Sequence, residues 1–408
     1  MEQYSSKLWF PKGIVNEFTE NENLGPFNHY NIHTEFGTIE MLDVSELNDI
    51  DVFNQLISDL NDLEDFEFWG DFNSLDKFEK IEIKETKKGI KIKLTSSEKS
   101  LEGIFHNLPI NSWRRKWSEL ETSPYFLIPT GGIQWKGLDV MVFRHSVKSS
   151  PFEWNTESPS IFSEMGGILG KFHTLMLETS APRMEKEWNL RLKRLETISS
   201  SGTLWRVPHS RNTNSIRSLG DLTCKDWLNI DDNISLDLLN LGFQTFGMLI
   251  TETTRFSCLR DIASMYVDID NSKLVSGTNS REYLRKVFFE SWCKEAPQKW
   301  HSNSALDGNL GGMQIWRYDV ELKNLFVAKS RNKVYGKAWI KNVKNIQRAL
   351  FNYRIISGSA LGMLLSSATI ALLWPGLLMT SKLLILSFGV IIYYLGMKAY
   401  RNTSLPPY

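Results

Sequence analysis

Apolar and polar residues alternate from residue 78 to residue 94, in the string FEKIEIKETKKGIKIKL. A period of two places successive side chains on opposite faces of a β-strand, and Lys87, Lys88 and Gly89 interrupt the alternation once. Two alternating runs on either side of a glycine-containing break predict a β-hairpin. This hairpin is the expected start of a small sheet.

Two later segments, SLEGIFHNLP and LDVMVFRH, also have the apolar content of strands. Between them NSWRRKWSELE predicts a short helix, and residues 124–132 predict a connection in which Gly131 and Gly132 form a turn. From Ser158 onward the period is that of a helix, because GGILGKFHTLM places its apolar residues on one face, and a second helix is expected over residues 185–199. The pattern predicts an α+β fold with two lobes, a small β lobe and then a larger helical lobe.

The last part of the chain is apolar over lengths that suit a membrane. Residues 355–373 carry no charge, which matches the roughly 20 residues that a helix needs to cross the hydrocarbon. A second uncharged run, residues 383–397, is shorter and needs its flanking Tyr, Lys and Arg side chains to reach the interface. These runs predict a two-helix transmembrane hairpin over residues 355–398. A re-entrant second segment and an apolar hairpin buried in a soluble protein are the alternatives.

Charges beside the hairpin predict its orientation. All charged residues between Lys323 and Arg354 are cations, and Lys398 and Arg401 follow the second run. Because positive charge is retained on the cytoplasmic side, the chain is expected to be a membrane protein with its soluble part and both termini in the cytoplasm. The basic stretch, residues 323–354, is expected to be a juxtamembrane linker that can bind anionic lipid headgroups.

Composition narrows the class of protein further. The 408 residues contain 47 Lys and Arg and 47 Asp and Glu, so no overall positive field favours nucleic acid as a partner. The 3 cysteines lack the paired spacing of a zinc site and indicate a reducing compartment. The first residues, MEQYSSKLWFPKG, lack the basic and apolar regions of a cleaved signal peptide.

Residues 219–239, LGDLTCKDWLNIDDNISLDLL, contain five aspartates, and three of them are candidate site carboxylates around a loop and a predicted hairpin. They are Asp221, Asp226 and Asp237. The segment resembles the catalytic region of the aminoglycoside phosphotransferase and choline kinase-like family, which has a protein-kinase-like fold. In that family His-Gly-Asp is followed by Asn and then by a strand that ends in Asp. The strings GGILGKFHTLM and CLRDIASMYVDI resemble two helices of the same family, and the resemblance covers roughly residues 78–300.

The resemblance implies a role for each of these residues. Asp221 would orient and deprotonate the acceptor hydroxyl, while Asp226 and Asp237 would be ligands of Mg²⁺ on the phosphates of ATP. His173 and Asp261 would have structural roles, with Asp261 supporting the catalytic loop from below. The implied function is a membrane-anchored cytoplasmic phosphotransferase that moves the γ-phosphate of ATP to a hydroxyl of a small molecule or a lipid headgroup.

The chain departs from the family pattern at three places. Leu219 replaces the His before Gly220, Asp226 replaces the Asn, and the third predicted strand of the lobe carries His106 where a phosphate-binding Lys is expected. Two alternatives therefore remain open. One is a catalytically inactive pseudokinase that acts as a membrane-tethered binding or scaffold module. The other is a scaffold of unrelated fold, in which the three carboxylates would lie far apart.

The predicted organisation has five parts. They are an N-terminal extension of unclear role in residues 1–77, a kinase-like amino lobe in 78–150, a kinase-like helical lobe in 151–322, the basic linker in 323–354 and the transmembrane hairpin in 355–398.

Overall fold

The computed structural model describes the whole chain except residues 1, 45–46, 48, 71–77, 98, 112, 121–122, 151–157, 200–212, 244–248, 251–252, 272–274, 277–279, 307–311, 334–336 and 403–406. The strands, in chain order, are β1 (Val15–Glu20), β2 (Asn28–Thr34), β3 (Gly37–Asp43), β4 (Phe66–Gly70), β5 (Lys80–Thr86), β6 (Gly89–Thr95), β7 (Ser100–Ile110), β8 (Phe126–Leu127), β9 (Gly131–Trp135), β10 (Leu138–His145), β11 (Ile216–Arg217), β12 (Trp227–Ile230), β13 (Asn233–Asp237) and β14 (Arg255–Phe256). The helices are α1 (Glu2–Ser5), α2 (Ile50–Asn61), α3 (Arg114–Trp117), α4 (Pro159–Leu175), α5 (Glu185–Ile198), α6 (Cys258–Asn271), α7 (Arg281–Glu295), α8 (Asn303–Leu306), α9 (Gly312–Ser330), α10 (Lys337–Leu373) and α11 (Met379–Asn402). The predicted α+β class is confirmed.

A six-stranded antiparallel sheet dominates the first half of the chain. Its strand order is β4-β9-β10-β7-β6-β5. The predicted hairpin is present, because β5 and β6 pair antiparallel and close with Thr86 opposite Gly89. Lys87 and Lys88 form the tip of this hairpin, which we call the β5–β6 tip. The strands predicted from SLEGIFHNLP and LDVMVFRH are β7 and β10, which pair with each other at the centre of the sheet.

The prediction of a turn at Gly131 and Gly132 is wrong, because both residues lie in strand β9 and are buried. Strand β4, which the sequence analysis left unassigned, pairs with β9 and covers this position with Trp69. A Cβ atom at Gly132 would lie 2.5 Å from the carbonyl oxygen of Met141 and 3.0 Å from the Trp69 ring. The glycine is therefore explained by the close approach of an indole ring and a neighbouring strand rather than by a turn.

Residues 1–77 include elements that pack on the rest of the protein. Strands β1, β2 and β3 form a separate antiparallel sheet, and β4 is an edge strand of the six-stranded sheet. Asn107 on β7 donates hydrogen bonds from its Nδ2 to the Leu42 carbonyl oxygen and to Asp43 Oδ1, both at 3.3 Å. The small sheet is thus attached to the large one by buried polar contacts as well as by apolar packing.

Helices form most of the second half, and the predicted helices at 158 and 185 are α4 and α5. Helices α4 and α7 pack along each other, and α6 packs against α9. Several indole rings fill the interior, including Trp188, Trp292 and Trp316, whose side chains are almost completely inaccessible to solvent. The predicted boundary between lobes at residue 151 lies in a segment outside the described residues.

The two C-terminal helices are long and apolar enough to cross a membrane, over Ile355–Leu373 and Met379–Lys398. They pack against each other where small residues face one another, Gly389 beside Ser367 and Gly396 beside Ala360. Most of their apolar side chains are exposed rather than covered by the soluble part. This exposure does not fit the alternative of an apolar hairpin buried in a soluble core.

The segment predicted as a basic linker, residues 323–354, is largely helical. Residues 323–330 complete helix α9, and residues 337–354 are the first half of α10, which continues without interruption into the first apolar run. Lys323 and Arg331 are buried in the folded part, and Lys329 forms a surface ion pair with Glu35 at 3.1 Å. These three cations therefore contribute little to any charged surface beside a membrane.

Candidate functional site

The loop before Asp221 is held by helix α6 from two sides. Asp261 accepts hydrogen bonds from Ser218 Oγ at 2.5 Å and from the Leu219 backbone N–H at 3.2 Å. Arg260, the residue before Asp261 in the helix, donates from Nη1 to the Gly220 carbonyl oxygen at 2.7 Å. The support of this loop by Asp261 is the contact that the resemblance implies. The loop is consequently fixed by charge-assisted hydrogen bonds inside the protein.

Gly220 is required by the shape of the loop. Its φ angle is +81°, in the region that residues with a Cβ rarely adopt, and its backbone pairs with Gly242. A Cβ atom at this position would lie 2.5 Å from the carbonyl carbon of Gly242. Close approach of these two glycine backbones places Asp221 at the point where the loop meets the segment that follows β13.

Asp221 is buried beside two cations. The Nζ atom of Lys323 on α9 lies 2.8 Å from Asp221 Oδ1, and the Nη2 atom of Arg260 lies 3.8 Å from the same oxygen. Burial alone would raise the pKa of Asp221, but Lys323 and Arg260 lower it to about 2. Asp221 is therefore a carboxylate at neutral pH, paired with a lysine that the sequence analysis placed in a membrane-proximal linker.

Asp226 also makes its contacts inside the protein. Its Oδ2 accepts hydrogen bonds from the backbone N–H and the hydroxyl of Thr223, both at 2.8 Å, and this closes a short 3₁₀ turn. The Nζ atom of Lys88, from the β5–β6 tip, lies 3.8 Å from Oδ1. Burial raises the pKa of Asp226, and the nearby Lys88 ammonium partly opposes that rise.

Asp237, at the end of β13, has a hydrogen-bond donor at every side of its carboxylate. Arg144 on β10 donates from Nε to Oδ1 and from Nη2 to Oδ2, each at 3.2 Å. The Leu239 backbone N–H donates to Oδ1 and the Asn240 amide donates to Oδ2, each at 3.0 Å. Arg144 Nη2 also contacts Glu102 at 3.1 Å. Arg144 and Asp237 are each only 2 % exposed at the side chain, so solvent does not weaken their interaction.

The structure brings the three predicted carboxylates to one region, where the sheet meets the helices. At both Asp221 and Asp226 the Lys88 ammonium opposes the rise in pKa that burial causes, and the charge of Asp237 adds to that rise at Asp226. Lys88 also donates from Nζ to the Asn240 carbonyl oxygen, so the β5–β6 tip reaches the segment after Asp237. We call these three carboxylates with Lys88, Arg144 and Lys323 the carboxylate cleft.

In this arrangement Asp237 has no position left for a magnesium ion. A carboxylate offers about four lone-pair positions, and Asp237 uses them on Arg144, Leu239 and Asn240. Across the part of the chain that the structure describes, His, Cys, Asp and Glu form no cluster of three that could hold a metal ion. The predicted roles of Asp226 and Asp237 as metal ligands, and of Asp221 as a base, stay predictions.

His173 has the contacts of a structural residue. It is fully buried on α4, with Nε2 3.4 Å from Asp261 Oδ2, and its Nδ1 accepts a hydrogen bond from the Trp292 indole N–H at 2.9 Å. The acceptor role of Nδ1 places the proton on Nε2, where it can point to the carboxylate. Through Asp261, His173 connects α4 and α7 to the loop before Asp221.

The three cations of the carboxylate cleft had no signal in the sequence. Lys88 was visible only as a turn residue, Arg144 as the end of a strand and Lys323 as a member of a basic run. Next to the cleft, between the β5–β6 tip and the segment at Gly242 and Phe243, a cavity of about 20 Å³ remains. This volume holds about one water molecule.

Comparison with known proteins gives low similarity. No protein-family model and no curated protein matches the chain. Among solved structures, a glucosamine kinase is 10 % identical with a TM-score of 0.47, over 86 % of this chain and 98 % of that one. A choline kinase from Streptococcus pneumoniae is 11 % identical with a TM-score of 0.38, over 74 % and 99 % of the two chains. A choline kinase from Cryptosporidium parvum is 9 % identical with a TM-score of 0.41, over 75 % and 97 %.

Two of these kinases have structures with nucleotide, the glucosamine kinase with glucosamine, ADP and phosphate and the Streptococcus pneumoniae choline kinase with AMP. The similar structures are thus small-molecule kinases. At these TM-scores and identities, the likeness carries no argument about what this chain binds. A proposal about binding therefore rests on the contacts within the carboxylate cleft.

Proposed function

We propose that the chain is a kinase-shaped binding or scaffold module, tethered to a membrane, whose own cations occupy the carboxylate cleft. The observation that carries this proposal is the bidentate pair of Arg144 and Asp237. In the resembled family the residue at the position of Asp237 holds metal on the nucleotide phosphates. Here a guanidinium neutralises that carboxylate and takes up its oxygens.

The other two carboxylates support the same function. Lys323 pairs with Asp221 at 2.8 Å, and both side chains are only 8 % exposed, so the chain itself supplies a close partner for this carboxylate. Thr223 and Lys88 engage Asp226. All three carboxylates are thus paired with cations of the chain itself.

The membrane tether is the second part of the proposal. In this proposal helices α10 and α11 cross the membrane as a hairpin, and the cations next to their apolar runs favour an orientation with the soluble part and both termini in the cytoplasm. Tyr408 packs near Phe289 of α7, so the chain returns to the soluble part after α11. Arg348, which is exposed, lies roughly 10 Å along α10 from the start of the apolar run, within reach of anionic headgroups.

A second candidate is the ATP-dependent phosphotransferase, and retention of all three carboxylates together with their support by Asp261 favours it. Clustered buried carboxylates need counter-charges in the absence of ligand, so an empty active site could form the same ion pairs. In the transfer, the acceptor oxygen would form a bond to the γ-phosphorus of ATP. The bond between the γ-phosphorus and the β–γ bridging oxygen would break at the same time. The hydroxyl proton would pass to Asp221, and ADP would leave. Lys323 and Arg144 would first have to move away from Asp221 and Asp237.

Nucleotide binding by the full chain in mild detergent separates the two candidates. The melting temperature is measured with millimolar ATP or ADP, with and without Mg²⁺, for the wild type, Asp237→Asn and the control Asp232→Asn, whose side chain is exposed at the turn between β12 and β13. A ligand at 100 times its Kd stabilises by about 2.7 kcal/mol, which such a melt resolves.

The binding module predicts no metal-dependent shift in any of the three proteins. A Mg²⁺-dependent shift that is present in the wild type and Asp232→Asn but lost in Asp237→Asn would overturn it in favour of the phosphotransferase. A screen of hydroxyl acceptors, small molecules and lipid headgroups alike, would then be the next step.

A further inference from the structure

Helix α9 connects the carboxylate cleft to the helix that enters the membrane. Its second half carries Lys323, which pairs with Asp221 at 2.8 Å. Just after its end, Arg331 donates from Nη2 to the Lys87 carbonyl oxygen in the β5–β6 tip at 3.1 Å, and Arg331 is itself buried. One helix therefore contacts both the loop of Asp221 and the hairpin that lies over the cleft.

A second set of buried charges strengthens the attachment of α9 to the Asp221 loop. Asp319, one turn before Lys323, accepts hydrogen bonds from Arg191 Nε at 2.9 Å and from Arg260 Nε at 3.1 Å. Arg260 in turn holds the Gly220 carbonyl oxygen and lies near Asp221. A displacement of α9 cannot leave this network intact, because buried ion pairs have short-range, directional hydrogen bonds.

The membrane helix begins close to this point. Helix α10 packs against α9, and only residues 334–336 separate it from Lys333, whose backbone N–H bonds to the Ala328 carbonyl oxygen at the end of α9. The part of α10 before its apolar run is about 27 Å long at 1.5 Å per residue. A change of about 20° in tilt, within the range of membrane helices, would move its outer end by roughly 9 Å.

We propose that α9 is a latch, in which the Lys323–Asp221 and Arg331–Lys87 contacts hold the carboxylate cleft closed until the membrane hairpin changes its tilt. This inference rests on the membrane tether of the proposed function. A tilt of α10 shifts α9, Lys323 separates from Asp221, and the β5–β6 tip moves away from the loop. The carboxylate cleft thereby opens or stays closed according to the thickness or composition of the bilayer.

Hydrogen exchange on the full chain in bilayers of two thicknesses tests the latch. The chain is reconstituted into vesicles of a short-chain and of a long-chain phosphatidylcholine, because mismatch with the hydrophobic length of the helices changes their tilt. In the wild type, the backbone amides of residues 218–222 and 86–90 are expected to exchange hydrogen at least tenfold faster in one bilayer than in the other. Equal exchange in both bilayers would refute the latch, and so would a change of the same size in the distant strands β1–β3.

Variants separate the two contacts of the latch. Lys323→Met should exchange rapidly at residues 218–222 in both bilayers, while the control Lys329→Met, on the same helix but in a surface ion pair, should behave as the wild type. Arg331→Gln leaves Lys323 paired with Asp221, so this variant is expected to fold. Its amide exchange at residues 86–90, and only there, should no longer depend on bilayer thickness. If Arg331→Gln leaves that dependence unchanged, the β5–β6 tip is not part of the latch and the proposal fails for the hairpin.

The outcomes stay distinct from those of the nucleotide test. Metal-dependent nucleotide binding would overturn the binding module without affecting the latch, since the exchange experiment contains no nucleotide. Exchange that is independent of bilayer thickness would remove the latch and leave the binding module in place.

Discussion

Replacing Arg144 by methionine tests the contact on which the proposed function depends. The substitution removes both hydrogen bonds to Asp237, the bond to Glu102 and the bond to the His145 carbonyl oxygen. It leaves Asp237 as a buried charge without its principal counter-charge. Breaking a buried ion pair in this way costs about 3–5 kcal/mol of stability.

A double-mutant cycle isolates the pair itself. Asp237→Asn keeps the shape of the side chain and lets Arg144 retain Glu102, so we expect it to cost less, about 1.5–3 kcal/mol. The double variant Arg144→Met/Asp237→Asn lacks the unpaired charge. Its loss should therefore fall short of the sum of the single losses by about 2–3 kcal/mol.

The assay is urea unfolding of the full chain, with every variant in the same detergent and the fluorescence of its 14 Trp residues as the signal. The control is Arg115→Met, because Arg115 and its partner Glu67 are 45 % and 63 % exposed and such pairs contribute about 0–1 kcal/mol. A loss below about 1 kcal/mol for Arg144→Met, or losses that add within about 0.5 kcal/mol, would refute the assignment of Arg144 as the counter-charge of Asp237.

Three further predictions use other residues. Burial opposes ionisation of Asp221, but Lys323 and Arg260 lower its pKa from 3.8 to about 2. The ionised carboxylate therefore contributes about 2.5 kcal/mol to the free energy of unfolding above about pH 4, and this contribution is lost towards pH 2. Asp221→Asn should lack that acid dependence in melts recorded at several pH values. Burial raises the pKa of Glu321 from 4.5 to about 7, so its protonated form is favoured in the folded state; stability should fall by up to about 3 kcal/mol as pH rises from 4.5 to 7, and a Glu321→Gln variant that retains this slope would contradict the assignment. Gly132→Ala should cost about 1–3 kcal/mol in the same melts, since the added methyl group meets the Met141 carbonyl oxygen at 2.5 Å; a neutral result would show that β9 and β10 can move apart.

The elements with a clear period were predictable from the sequence. The hairpin over residues 78–94 and the helices α4 and α5 are local patterns, in which the spacing of apolar side chains reports which face meets the core. The two apolar runs after residue 354 were predictable for the same reason, because length without charge is visible in the chain itself. Strand β9 was missed because Gly131 and Gly132 resemble a turn when the covering strand β4 is not known.

Asp221, Asp226 and Asp237 were named from the sequence because residues 219–239 resemble the catalytic segment of a known family. Their counter-charges come from a hairpin tip, a central strand and a distant helix, at sequence separations that no motif records. Coulombic interactions depend on distance and burial, and both are products of the tertiary fold. The sequence therefore determined which acidic groups meet, and only the tertiary structure decided that Lys88, Arg144 and Lys323 meet them there.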